Sequence, residues 1–169
     1  MQLTTEKLGV LDISDNEIIN FPDGIPAFET VRRFAVVRNG RTAPFAWLQA
    51  ADRPELSFLI INPWEFCYDY DLEISENDCR ALDLARPEEA AVYAILTVRG
   101  NKHEITANLL APLVINTRAG IGRQVINNSG KYTIRHQVMA EMARSQAVQK
   151  KPAGPRERPY GLRPAAAGR

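Results

Sequence analysis

The stretch Val92-Tyr93-Ala94-Ile95-Leu96-Thr97-Val98 is almost entirely apolar on both of its alternating faces, and so is the stretch Phe58-Leu59-Ile60-Ile61. Successive side chains of a β-strand point to opposite faces of the sheet, so a strand that is apolar on both faces is covered on both sides. The two stretches therefore predict central strands of a mainly β protein.

Similar apolar runs occupy much of the first 139 residues. They are short, rich in β-branched and aromatic types, and bounded by Gly, Pro, Asn or Asp, which is typical of strands. The complete set of predicted strands is 3–10, 17–21, 34–38, 46–49, 56–62, 92–99, 105–109, 113–116, 123–126 and 132–135. The turn at 99–102 places Gly100-Asn101 between two strands and predicts a hairpin tip.

Helix is the minority state in this part of the chain. Ser75 stands three residues before Asp78, an arrangement that caps the start of a helix. We also expect a turn of helix over 27–32 and a helix over 137–150, where Val138, Met142 and Ala143 share one face.

The net charge of +1 conceals two opposed parts. Residues 140–169 carry seven basic and two acidic side chains, a net charge of +5, which leaves −4 on residues 1–139. The last thirty residues also contain four Pro, three Gly and seven Ala. We therefore expect one folded domain over 1–139 and a basic tail over 140–169 that is helical at its start and disordered from Pro152 onward.

Several function classes receive no support from the sequence. The first residues lack the layout of a signal peptide and no apolar run is long enough to span a bilayer, so we expect a cytoplasmic protein without membrane contact. Cys67 and Cys79 form no CxxC motif, and His103 and His136 have no metal-ligand spacing. We expect no metal, cofactor or small-molecule substrate.

The strongest local signal is the acidity of residues 62–90. This segment has nine acidic residues against Arg80 and Arg86, a net charge of −7. Four aromatic residues are interleaved with the acidic ones: Trp64, Phe66, Tyr68 and Tyr70. The segment is either a solvated face or a docking surface on which carboxylates attract a basic protein and repel polyanions.

Five segments, in order, resemble one family. They are Phe21-Pro22-Asp23-Gly24-Ile25-Pro26-Ala27-Phe28-Glu29, Pro44-Phe45-Ala46-Trp47-Leu48-Gln49-Ala50, Phe58-Leu59-Ile60-Ile61-Asn62-Pro63-Trp64, Asn108-Leu109-Leu110-Ala111-Pro112-Leu113-Val114-Ile115-Asn116 and Gln124-Val125-Ile126. Together they resemble the flagellar assembly factor FliW family over residues 1–139. One position departs from the family pattern, because Ala27 stands where the family usually has Gly.

The resemblance implies a small antiparallel β-barrel-like domain without enzymatic activity and with two protein partners. One partner is flagellin, bound in the cytosol before export. The other is CsrA, a translational repressor that binds flagellin messenger RNA and is antagonised by FliW that is free of flagellin. An acidic body docked beside an RNA-binding protein would weaken phosphate binding by repulsion without filling the RNA site.

We expect the CsrA-facing surface on two features. One is the acidic and aromatic edge that follows Asn62-Pro63, here called the acidic edge, and the other is the hairpin tip. The residues of this candidate surface are Tyr70, Asp71, Glu73, Val98, Arg99, Gly100 and Asn101. The family-matching residues Phe21, Gly24, Pro26, Phe28, Phe45, Leu48 and Pro112 are instead expected to form turns and core. One alternative is an RNA-binding module that works through the basic tail, and a third reading, an enzyme, lacks an identifiable carboxylate pair or metal.

Overall fold

The computed structural model describes residues 1–101, 104–149 and 162–164. Its strands are β1 (Gln2–Thr5), β2 (Gly9–Asp12), β3 (Ile18–Asn20), β4 (Arg33–Arg38), β5 (Phe45–Ala50), β6 (Ser57–Ile61), β7 (Leu72–Ile74), β8 (Ala90–Val98), β9 (Ile105–Ala107), β10 (Leu113–Asn116), β11 (Ile121–Gln124), β12 (His136–Gln137) and β13 (Leu162–Pro164). The helices are α1 (Glu76–Ala81) and α2 (Val138–Gln149), with single 3₁₀ turns at Asp15–Glu17, Pro63–Glu65 and Pro87–Glu89.

Seven of these strands close into a barrel. Their order is β10, β11, β3, β4, β5, β6 and β8, and β8 pairs back onto β10. Neighbours in the barrel are antiparallel except β11 and β3, which meet in parallel through Ile121 and Asn20. Strands β9 and β12 continue the sheet outward from β8. The expected mainly β, barrel-like fold with short helices is confirmed.

Strand β8 separates two apolar cores, as its sequence predicts. Tyr93 and Ile95 pack in the barrel interior with Phe21, Phe34 and Leu48. The alternate residues of β8, Val92, Ala94 and Leu96, pack in a second core outside the barrel. That outer core is completed by segment 66–82 and by Val138 at the start of α2, so β8 is covered on both faces.

A glycine on β11 allows the barrel interior to close around Phe21. A Cβ atom at Gly122 would lie 2.4 Å from the Phe21 ring, which is fully buried and packs edge-on against Phe34 at 5.2 Å between ring centroids. Gly122 therefore has a packing role in the barrel interior.

The loop at 25–28 is a tight turn, so the turn of helix predicted over 27–32 is wrong. Ile25 and Phe28 form an isolated antiparallel bridge, with the Phe28 N–H donating to the Ile25 carbonyl at 2.7 Å. Ala27 has φ of 73°, in the left-handed region that disfavours residues with a Cβ. An alanine at this position therefore places strain in the turn.

Three predicted strands need correction. The run 3–10 is two strands, because Gly9 takes φ of 74° and the chain turns back so that Leu3 pairs with Leu11. The run 123–126 is displaced, since β11 ends at Gln124. The run 132–135 is not a strand. Its aromatic residue Tyr132 packs against Tyr70, 4.7 Å between ring centroids, and pairing with β9 begins only at β12.

The two other predicted helices, the one capped by Ser75 and the one over 137–150, are both present as α1 and α2. The Ser75 hydroxyl accepts the Asp78 N–H at 3.1 Å and caps α1 as predicted, and α2 lies within the predicted range 137–150. Within the described residues, no helix is long and apolar enough for a membrane crossing. Strand β13 pairs in parallel with β7 and so differs from the expected disorder; the rest of that prediction concerns residues 152–161 and 165–169, which lie outside the described residues.

Candidate partner-docking surface

Segment 69–74 alternates acidic and apolar residues, and the structure buries the apolar half. The exposed fractions of Tyr70, Leu72 and Ile74 are 2%, 0% and 1%. Tyr70 was expected on the partner-facing surface, and that expectation is wrong, because it shares its face of the strand with Leu72 and Ile74. The same two-residue period was readable from the sequence and was the signal that could have placed Tyr70 in the core.

Tyr70 instead supports the acidic edge from below. Its hydroxyl donates to the Leu109 carbonyl at 2.6 Å, and its ring packs against Trp64 and Tyr132. Trp64 returns a hydrogen bond from Nε1 to the Tyr70 carbonyl at 3.0 Å. Burial raises the pKa of the Tyr70 hydroxyl and raises that of Tyr132 to about 12, so both phenols are neutral hydrogen-bonding groups at physiological pH.

Asn127 fastens β7 to the body. Its Nδ2 donates to the Asp71 carbonyl at 2.9 Å and to the Tyr70 hydroxyl at 3.2 Å. Its Oδ1 accepts the N–H groups of Glu73 at 3.1 Å and Ser129 at 3.0 Å. The side chain is 2% exposed, and all four of its hydrogen-bonding positions are used. Sequence reasoning missed this role, because three of its four partners, Tyr70, Asp71 and Glu73, lie more than fifty positions away along the chain.

Basic residues from other parts of the fold neutralise much of the acidic segment. Asp71 binds Lys131 at 2.7 Å, Asp78 binds Arg123 at 3.0 Å, and Asp69 binds Arg144. Farther along the segment, Arg118 contacts both Asp83 and Glu89. The value of −7 therefore overstates the charge that a partner meets. The basic members of these pairs are 37–60% exposed, and solvent screening weakens such pairs.

Helix α2 contacts the acidic segment through a cluster of polar side chains around Glu141. The Glu141 residue is 7% exposed. Glu141 receives hydrogen bonds from Arg144 and from the Cys67 thiol at 3.2 Å, and one of its oxygens lies 2.6 Å from His136 Nε2. Burial by itself would raise the pKa of Glu141. The hydrogen bonds from Arg144, His136 and Cys67 have a larger effect in the opposite direction, so the pKa of Glu141 is below its ordinary value. Burial, together with the bond to Glu141, raises the pKa of the Cys67 thiol.

The same cluster brings Cys67, Asp69 and Glu141 close enough to resemble a metal site, with one possible ligand atom of each within 4.8 Å of the others. Arg144 donates to both carboxylates and lowers the pKa of Asp69. The guanidinium therefore takes the place that a cation would need. The cluster is an ion-pair joint between α2 and the body. No local sequence pattern predicts it, because Asp69 and Arg144 are 75 residues apart.

The hairpin tip is the exposed part of the candidate surface. Val98 is 51% exposed, and Arg99, Gly100 and Asn101 are also exposed. Gly100 takes φ of 65°, as the turn requires, and the Arg99 N–H donates to the Glu104 carbonyl at 3.2 Å. An open groove of about 410 Å³ beside the tip is lined by Arg99, Glu104, Thr106, Arg135 and Gln137.

The two halves of the candidate surface have different neighbours. Asp71 and Glu73 bond to residues of the segment 127–132, whereas the tip lies against Glu104 and the groove residues Thr106 and Arg135. Of the residues predicted as turn and core, Phe21, Gly24, Leu48 and Pro112 are buried, Phe28 and Phe45 are half-buried, and Pro26 is exposed. A contact role for the six exposed or half-buried surface residues stays a prediction.

Comparison with known proteins now adds to this geometry. The family model described as FliW protein matches residues 2–138. A flagellar assembly factor FliW from Thermosipho africanus is 42% identical over 133 residues, covering 78% of this chain and 92% of that protein. The one from Alkaliphilus metalliredigens is 41% identical over 147 residues, covering 86% and 91% respectively.

A solved structure, described as the crystal structure of the flagellar assembly factor FliW, superimposes with a TM-score of 0.76. It is 31% identical in sequence, and the match covers 82% of this chain and 96% of that one. The family match over residues 2–138 includes all the strands of the barrel, and the two relatives are covered over more than nine tenths of their length. The chain therefore belongs to the FliW family of flagellar assembly factors.

Proposed function

We propose that this protein is a non-enzymatic, cytoplasmic assembly factor that binds flagellin before export. When it is free of flagellin, it binds and antagonises CsrA, so that flagellin translation follows secretion. The observation that carries the proposal is the family match over residues 2–138. It is supported by an acidic body of net charge −4 whose acidic edge is rigidly held.

The electrostatics favour a basic partner. Two carboxylates of the acidic edge are paired in the isolated chain: Asp71, whose side chain is 18% exposed, with Lys131, and Asp69, whose side chain is 48% exposed, with Arg144. Such surface pairs contribute little stability, so they can exchange for cations of a partner at small cost. RNA affinity rests largely on phosphate contacts, and a docked acidic body opposes those contacts through repulsion.

Two groups of residues make this contact in our proposal. Asp71 and Glu73 supply charge on the acidic edge, and Val98, Arg99, Gly100 and Asn101 supply exposed shape at the hairpin tip. Tyr70 acts only beneath the surface, where it holds the backbone of the edge in place.

The first experiment is calorimetric titration of purified CsrA with the wild type and with the double variant Asp71→Lys/Glu73→Lys. We expect affinity to fall about tenfold or more, with the loss mainly in the association rate and smaller at high salt. The matched control is Glu6→Lys/Asp12→Lys, which makes the same change of charge on the β1–β2 hairpin, where Asp12 is 92% exposed.

Thermal unfolding of both double variants verifies that the fold is retained. Equal affinities for the two double variants would remove the acidic edge from the CsrA contact. The partners themselves are tested by using the full chain as bait in cytosol. Recovery of flagellin and CsrA supports the proposed function, and recovery of neither refutes it.

A further inference from the structure

Strand β7 has an outer edge that another strand covers only briefly. The Glu73 N–H and C=O face the body, where they bond to Asn127 and Asn128 at 3.1 and 2.8 Å. Neighbouring residues of a strand direct their backbone groups to opposite edges. The C=O of Leu72 and the N–H of Ile74 therefore face away from the body, toward β13.

The segment on that edge is the chain's own tail. Leu162 lies opposite Leu72, Arg163 opposite Glu73 and Pro164 opposite Ile74, in parallel. The two strands form a small sheet separate from the barrel. A two-stranded sheet of three residues per strand is marginal in water, so this pairing is displaceable.

Charge and sequence suit the two segments to each other. Residues 69–78 contain five acidic and no basic residues, and residues 150–169 contain six basic and one acidic. A residue that precedes proline favours extended backbone, which suits Arg163 to a strand. The tail lies beyond residues 2–138, so the family match does not account for this contact.

From this register and charge we infer that the outer edge of β7 is a strand-addition site for an extended basic protein segment. In the resting protein, the site is held by residues 162–164 of the same chain. A partner that enters by this edge must displace the tail, which acts as an intramolecular competitor at high effective concentration. The inference rests on the proposed function only for the identity of the partner.

Hydrogen exchange in the full-length protein tests the occupancy. Arg163→Pro removes the backbone donor opposite β7 and is expected to speed exchange of the Ile74 amide about tenfold or more. The control Arg169→Glu reverses a tail charge five residues beyond β13 and should leave that amide unchanged. Equal Ile74 exchange in wild type and Arg163→Pro would overturn the inference.

Peptide binding tests the specificity of the edge. The probe is a fluorescent peptide with the sequence of residues 156–166, titrated by anisotropy into the full-length Arg163→Pro protein and into the wild type. We expect saturable, salt-sensitive binding that is several-fold weaker for the wild type, whose site is occupied by its own tail. A second peptide with proline in place of Arg163 should bind at least tenfold more weakly; equal binding of the two peptides would overturn the inference.

The same two proteins are then titrated with CsrA. Tighter binding by Arg163→Pro supports displacement of the tail by this partner, and equal binding by the two proteins overturns that displacement. If the peptide binds as expected and neither protein binds CsrA, the proposed function fails while the strand-addition site stands.

Discussion

Replacement of Asn127 by alanine tests whether one buried amide positions the acidic edge. The substitution removes four hydrogen bonds and leaves the Glu73 N–H and the Asp71 carbonyl without these partners. Each such group costs about 1–2 kcal/mol when it is partly buried, and the remaining two bonds add roughly 1 kcal/mol, with some relief where water enters. We expect a loss of about 3 kcal/mol in the free energy of unfolding.

Urea denaturation followed by circular dichroism measures this loss, and the thermal midpoint should fall by about 10 °C for a chain of this size. The matched control is Asn128→Ala. Asn128 has an exposed side chain and contributes its backbone N–H to Glu73, so its loss should stay within about 0.5 kcal/mol. If the two variants differ by less than 1 kcal/mol, the buried amide does not hold β7 in the way described.

Three further changes follow from the turn, the ion-pair joint and the cysteines. Ala27→Gly removes the strain of a positive φ at a residue with a Cβ atom and should stabilise the protein by about 1 kcal/mol. The measurement is the thermal midpoint, which should rise by a few degrees; no rise would show that the turn is unstrained. Glu141 has a lowered pKa in the folded protein, so its contribution is present above its unfolded pKa of about 4.3 and is lost as the pH falls through the folded value. Glu141→Gln should therefore lower the urea midpoint at pH 7, and the difference from the wild type should vanish near pH 3; a difference that persists there would contradict the assignment. In the native protein, a thiol reagent should modify the half-buried Cys79. It should reach Cys67, which is fully buried and has a raised pKa, only on unfolding. Cys79→Ser should therefore abolish the reaction of the native protein, and a native reaction that remains in this variant would place Cys67 at the surface.

The barrel could be predicted from the sequence where local pattern and tertiary contact agree. Stretch 92–98 is apolar on both faces because the barrel interior and the outer core both use it, and Ser75 caps α1 because capping is a local interaction. The run 3–10 misled because its β-forming residues are interrupted by a turn that Gly9 permits. The cap and the turn depend on interactions within a few residues, whereas stretch 92–98 carries its two-core environment in its own apolar pattern.

The candidate site was harder to predict because its contacts are distant in sequence. An aromatic residue among acidic ones suggests a surface position, and this pattern wrongly predicts an exposed Tyr70. The two-residue period that Tyr70 shares with Leu72 and Ile74 indicates the buried face on which it lies. The pairing of Asp71 with Lys131 and of Asp69 with Arg144 joins residues 60 and 75 positions apart, and no local pattern encodes either. The family resemblance predicts the fold correctly and suggests the proposed partners, but it contains no information on the tail.

The parallel contact between β11 and β3 closes the barrel between two segments that are far apart in sequence. That seam has a single register pair, Ile121 with Asn20, and one further hydrogen bond from the Asn20 N–H to the Gly120 carbonyl at 2.8 Å. It joins segments about a hundred residues apart, so the loop-closure entropy must be overcome before the contact is rewarded. The antiparallel meander from β3 to β6 can assemble beforehand from neighbouring strands. We therefore expect the β11–β3 contact to form after this meander during folding.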